Sequence, residues 1–154
     1  MPMTTPNVPA SPFVSRRSAW LVLFAAFLVQ SPLVFNPGYF SHDELQWAAI
    51  ANAAPELPPP WFSWAAIDVY QYRPLTFNLW LWLSRHLFEV PYAFHAVCVA
   101  WGSANAALLC VLAQRLGVPA RQAGLSSLVF ALGPYAALTH GWVGTLGDLI
   151  WLSA

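Results

Sequence analysis

Two carboxylates stand side by side in Ser41-His42-Asp43-Glu44, where a long uncharged run has just ended and an amphipathic stretch, Leu45 to Ala51, begins. At a boundary between apolar and aqueous surroundings, desolvation and a like-charged neighbour both raise a carboxylate's pKa. These are the conditions that make it a usable general base. Asp43 beside Glu44 meets both, so Asp43 is the candidate base and Glu44 a positioning or second acidic group. The same residues also suit a helix start. Ser41 and Glu44 have the spacing of a capping box, and Asp43 falls in the first turn, where the helix dipole favours negative charge. The two readings are compatible, since a capped helix start is a firm place to hold a base.

Three further residues have the chemistry of a binding site. Arg73 can clamp a phosphate, because a guanidinium matches phosphate oxygens with a bidentate fork. The alternative is an interfacial arginine reaching for lipid headgroups. Asp148 is an ionisable group inside an apolar segment, which is costly and therefore a functional candidate. His140 lies in a short polar turn, Thr139-His140-Gly141, and is a candidate substrate contact. His95 and His140 also suit hydrogen bonding between helices, and His42 and His86 suit an interface. Cys98 and Cys110 fall about 18 Å apart along a helix, too far for a disulfide, and no metal-ligand spacing is present.

The elements that must position these residues are apolar. The chain of 154 residues is 58% hydrophobic and 8% charged, with nine tryptophans, too few charges for a water-exposed surface of this size. The expected class is an all-α, polytopic helical membrane protein with three spans and the start of a fourth. Residues 1–17 read as a disordered cytoplasmic tail rich in proline. The first span covers about 18–35, led by Arg16-Arg17; a signal peptide, twin-arginine in type, is the competing reading. No small-x-small cleavage site follows it, which favours an uncleaved span. Asn36-Pro37-Gly38 ends it.

An outer loop, 36–91, mixes Asp43, Glu44, Glu56, Asp68, Arg73, Arg85 and Glu89 with dense aromatics. Trp61, Phe62 and Trp64 read as an interfacial belt. Within it Leu75 to Phe88, opened by Pro74, is an expected helix too short to cross a bilayer and hence interfacial. Spans are expected at about 92–114 and 122–138, the latter interrupted late by Gly133-Pro134, and a fourth begins at 142–154. Arg115 and Arg121 flank a tight Gly117-Val118-Pro119 turn and mark it as cytoplasmic. The amino terminus is then inside, while Asp43, Glu44, Arg73, His140 and Asp148 share the outer side. The fourth apolar segment stops without a polar end, so a longer parent chain is expected.

The acidic pair after the first span, followed by Tyr72-Arg73-Pro74-Leu75-Thr76 opening an interfacial helix, resembles the polytopic glycosyltransferases of the GT-C fold. These include protein O-mannosyltransferases and aminoarabinose transferases acting on lipid A. The likeness is to the bacterial branch with Tyr-Arg-Pro-Leu-Thr, a span rich in His, Asn and Leu, and an Arg-capped turn. Here these are Tyr72 to Thr76, His95 with Asn105, and Arg115, and Trp142 and Asp148 match a family Trp and Asp. It covers most of the chain after Arg16, as the N-terminal part of a full enzyme. Two departures bear on donor and acceptor identity: Leu146 stands where the family has Arg, and the His-Pro-Pro-Leu-Gly motif of the mannosyltransferases is absent.

The resemblance implies transfer of a sugar from a polyprenyl-phosphate carrier to an acceptor outside the cytoplasm. The first outer loop would supply the acidic motif and a basic residue the phosphate contact. The expected partners are the lipid-linked donor, a lipid, glycan or protein acceptor, and membrane lipids. No nucleic acid is expected, since no basic patch is interleaved with aromatics. No cofactor is expected, with a divalent metal left open. The expected location is a bacterial plasma membrane. The reading from another class is a non-catalytic membrane protein, a scaffold subunit or a truncated relic. A transporter is a third, disfavoured by the lack of an inverted repeat.

Overall fold

The computed structural model describes residues 14–39, 45, 49, 74–141, 149, 152 and 153, with backbone only at 74–78, 80, 81 and 135. Most of these residues are helical, with no strand among them. The helices are α1 (Arg16–Val34), α2 (Pro74–Leu87), α3 (Pro91–Arg115), α4 (Ala120–Ala131) and α5 (Pro134–Gly141). α1 and α3 are long and apolar enough to cross a membrane. Their bounds match the uncharged runs, because both are punctuated chemically. Ser15 caps α1, its hydroxyl accepting from Ser18 N, and Pro91 opens α3.

The expected third span is not one continuous helix. It is α4 and α5, 12 and 8 residues long, broken at Leu132-Gly133. Pro134 has no N–H to give Phe130, whose carbonyl accepts from Gly133 N at 3.2 Å instead. The helix then restarts, with Ala137 N bonding Gly133 O at 2.9 Å. α1 also contains a proline, Pro32, yet continues past it. There Ser31 Oγ donates to Leu28 O at 2.8 Å, occupying the carbonyl that Pro32 cannot reach.

α3 is the central helix, packed on all four others, most extensively on α1. Three ladders of residues four apart meet in the core: Val22, Ala26 and Gln30 of α1; Gly102, Ala106, Cys110 and Gln114 of α3; and Ala123, Ser127 and Ala131 of α4. Small side chains let the backbones approach closely and gain packing energy without large apolar groups. Many large apolar groups of these helices face outward instead. Trp20, Phe24 and Leu28 of α1 are 59%, 63% and 73% exposed, and Leu108 and Leu112 of α3 and Val129 of α4 are exposed too.

The turn between α3 and α4 is a Schellman motif. Gly117, at φ +91°, donates to Gln114 O at 3.0 Å, and Val118 N donates to Ala113 O at 3.0 Å. Beside this turn Gln114 holds the start of α1. Its Oε1 accepts from Ser15 N at 2.7 Å, and its Nε2 donates to Ser18 Oγ at 2.9 Å. The N-terminus of α1, the C-terminus of α3 and the N-terminus of α4 therefore share one end of the bundle.

Candidate functional site

At the other end, α1 is stopped and its exit is anchored. Asn36 Oδ1 accepts from Gly38 N at 3.1 Å, an Asx turn that replaces the helical pattern. The next residue, Tyr39, is held on three sides. Its hydroxyl donates to Phe88 O at 2.6 Å, its ring stacks on Phe88 at 4.5 Å, and the edge of Phe94 lies at 6.4 Å. His95 of α3 bonds Gly38 O through Nε2 at 2.8 Å. A carbonyl only accepts, so Nε2 carries the proton, leaving Nδ1 as a buried acceptor without a partner. The interhelical role expected for His95 is close to what it performs.

α2 meets α3 beside this anchor. Leu79, Leu83 and Leu87, one face of α2 at helical spacing, pack on Phe94 and Cys98 of α3. Leu149 enters the same cluster, 1% exposed, and its carbonyl accepts from Asn105 Nδ2 at 2.7 Å. Tyr39 packs there too. Trp82 and His86 lie on an adjacent, exposed flank of α2. His86 Nδ1 donates to Trp82 O at 2.7 Å, and their rings are 4.6 Å apart.

Asp43, Glu44, Arg73 and Asp148 lie outside the described residues. Their chain neighbours do not: Tyr39 precedes Asp43 by four positions, Leu45 follows Glu44, Pro74 follows Arg73, and Leu149 follows Asp148. Tyr39, Leu149 and the inner face of α2 all converge on the Phe94–Cys98 segment.

His140, the remaining candidate, is 3% exposed. Its Nδ1 pairs with Gln30 Oε1 of α1, and Gln30 Nε2 donates to Ala131 O at 2.6 Å. In a continuous helix that carbonyl would accept from residue 135; the break at Gly133-Pro134 releases it, and Gln30 takes it. Both ends of the amide are engaged, and the directions are fixed, since its NH₂ can only donate and its carbonyl can only accept. His140 therefore carries its proton on Nδ1. Its ring also lies on α3 where Gly102 has no side chain: a Cβ there would overlap Nε2, Cδ2 and Cε1. His140 is thus a cross-brace of three helices. It also lines an apolar cleft of about 430 Å³ with Phe130, Ala136, Thr139 and Leu149.

Reading from the sequence missed Gln30, Gly102 and Gln114. Gln30 is the only amide in the apolar run 18–35, and a polar group in such a run needs a partner. The break expected at Gly133-Pro134 offered a carbonyl in need of a donor. Among the described residues no group of three His, Cys, Asp or Glu could hold a metal ion. Cys98 and Cys110 are buried thiols that form no disulfide. Comparison with protein-family models, curated proteins and solved structures finds no match to this chain.

Proposed function

We propose that this chain is the membrane-embedded part of a GT-C-like glycosyltransferase that moves a hexose or pentose from a polyprenyl-phosphate carrier to an acceptor outside the cytoplasm. α1 and α3 cross the bilayer, and α4 with α5 forms a third, broken crossing of 22 positions, 120–141. The outward placement of large apolar side chains over a small-residue core supports this, because lipid rather than water is the solvent that favours it. Four of the six arginines, Arg16, Arg17, Arg115 and Arg121, lie at one end of the bundle, which is therefore assigned to the cytoplasm of a bacterial plasma membrane.

The observation that carries the catalytic reading is the convergence on Phe94–Cys98 of Tyr39, α2 and Leu149, the chain neighbours of Asp43, Arg73 and Asp148. Residues near three candidates in sequence thus share one cluster at the end opposite the four arginines. In this reading Asp43 accepts the proton of an acceptor hydroxyl as its oxygen bonds the anomeric carbon. The bond from that carbon to the carrier phosphate breaks, and Arg73 holds the departing phosphate. Glu44 positions Asp43, Asp148 contacts the sugar, and the cleft beside His140 receives an apolar part of the substrate.

The test uses the intact protein reconstituted with a lipid-linked sugar donor. Asp43→Asn should lower transfer by at least about 10²-fold, the contribution of a positioned base. Arg73→Lys should mainly raise the KM for the donor, because an ammonium lacks the planar fork. Unchanged transfer in Asp43→Asn rejects the base. Wild-type protein that transfers no sugar from any polyprenyl-phosphate donor supports the alternative, a non-catalytic membrane subunit.

A further inference from the structure

The four arginines at the α1–α3–α4 end are all exposed, and none has an ion-pair partner among the described residues. Every carboxylate of the sequence lies between positions 43 and 89 or at position 148, away from this end along the chain. The contacts of Gln114 with Ser15 and Ser18 bring the start of α1, with Arg16 and Arg17, to the end of α3 that carries Arg115, and the Gly117 turn leads from there to Arg121. The result is four positive charges at one end of the bundle, with no carboxylate paired to them among the described residues.

A groove of about 540 Å³ leads away from this field. Arg115 stands in its lining, and its walls are Leu108, Leu109 and Leu112 of α3, Phe130 of α4, and Leu152. It extends along α3 from Arg115 to Asn105, ten helical positions or about 15 Å. That is half of a bilayer's hydrocarbon thickness of about 30 Å. A cationic mouth and an apolar trough one leaflet long fit a headgroup phosphate and an acyl chain. They fit a small soluble anion poorly, because the trough would remain unfilled.

We propose that this groove is a binding site for an anionic phospholipid of the leaflet on the arginine side, with its phosphate on Arg115 and one acyl chain along Leu108, Leu109 and Leu112. Arg16, Arg17 and Arg121 supply the surrounding field, which selects anionic over zwitterionic headgroups. The site is at the opposite end of the bundle from the proposed transfer chemistry. It rests on the membrane reading of α1 and α3 and not on any catalytic assignment.

The test is native mass spectrometry of the full chain in detergent, titrated with dioleoyl phosphatidylglycerol or dioleoyl phosphatidylcholine. Phosphatidylglycerol should bind about tenfold more tightly, roughly the effect of one or two arginines near a membrane surface. Arg115→Gln should remove most of that preference. Leu112→Trp, which fills an exposed part of the trough, should weaken the binding of phosphatidylglycerol itself. Arg85→Gln, which removes the same charge from α2, should change neither. Equal binding of the two lipids, or a preference untouched by Arg115→Gln, overturns the proposal. Loss with Arg115→Gln but none with Leu112→Trp overturns the groove, leaving a headgroup held at the surface. Competition by millimolar inorganic phosphate would identify a soluble-anion site and overturn it as well. None of these outcomes depends on sugar transfer, so failure here is separable from failure of the catalytic reading.

Discussion

At the scale of single residues, eight buried side chains among the described residues are polar, and His95 Nδ1, Asn105 Oδ1 and Ser127 Oγ are the buried atoms among them without a partner. Gln30 illustrates the consequence. Gln30→Leu keeps the volume approximately but leaves Ala131 O and His140 Nδ1–H buried without partners. The expected destabilisation is about 1–3 kcal/mol, the desolvation penalty of an unmade bond, measurable by thermal unfolding in detergent. Glycines give a sharper contrast. Gly102→Ala should destabilise by about 1–3 kcal/mol, since its methyl group would overlap the His140 ring and α5 would have to move. Gly124→Ala meets only Val22 Cγ2 at 3.8 Å, an ordinary contact, and should stabilise α4 by up to about 1 kcal/mol. The same change of residue, on two faces of one bundle, should shift the midpoint in opposite directions.

Among the elements, the expectations that held were those written in local chemistry. The uncharged runs set α1 and α3, Pro74 marked the start of α2, and Asn36-Pro37-Gly38 ended α1. Gly133-Pro134 marked a break, and the structure makes it a complete one that divides the third apolar run into α4 and α5. What the sequence did not disclose is pairing across distance. A lone Gln30 in an apolar run advertises the need for a partner but not that the partners are residues 131 and 140. Gln114 and His95 pose the same problem, their contacts lying 99 and 57 positions away. Of the candidate residues, His140 was singled out by type and position, and its contacts as a brace depend on Gly102 and Gln30. Asp43, Glu44, Arg73 and Asp148 are carried by sequence and by the anchoring of their neighbours. That anchoring is testable: Tyr39→Phe deletes the bond to Phe88 O while keeping the ring stack. It should lower stability by about 1 kcal/mol and speed amide exchange in residues 36–39, read by hydrogen-exchange mass spectrometry.

For the whole molecule, the proposal fixes which end faces which compartment. Cys98 and Cys110 are 0% exposed, so the folded chain should not react with maleimides until denatured. This silent background allows a topology test with single added cysteines at exposed positions. Glu89→Cys, beside the α2–α3 junction, should label in intact spheroplasts with a membrane-impermeant maleimide. Arg121→Cys, at the opposite end, should label only after permeabilisation. The reverse pattern would invert the orientation and place the arginines outside, and labelling of both would mean that the bundle does not separate two compartments.

The bonds of Gln30 also set an order of events during synthesis. α1 emerges from the ribosome first, and its amide acquires its partners only when residues 131 and 140 have been made. At about 5–20 residues per second, that is a delay of roughly 5–20 s. Throughout it, a helix carrying an unsatisfied amide has to stay near the insertion machinery or among lipids without its mates. Translational pausing within the α3–α5 coding region would lengthen that exposure, and membrane proteases that sense unpaired polar groups would have α1 as their first target. Nascent chains halted before position 131 should therefore be degraded faster than chains halted after 141, and Gln30→Leu should remove the difference even as it weakens the finished bundle.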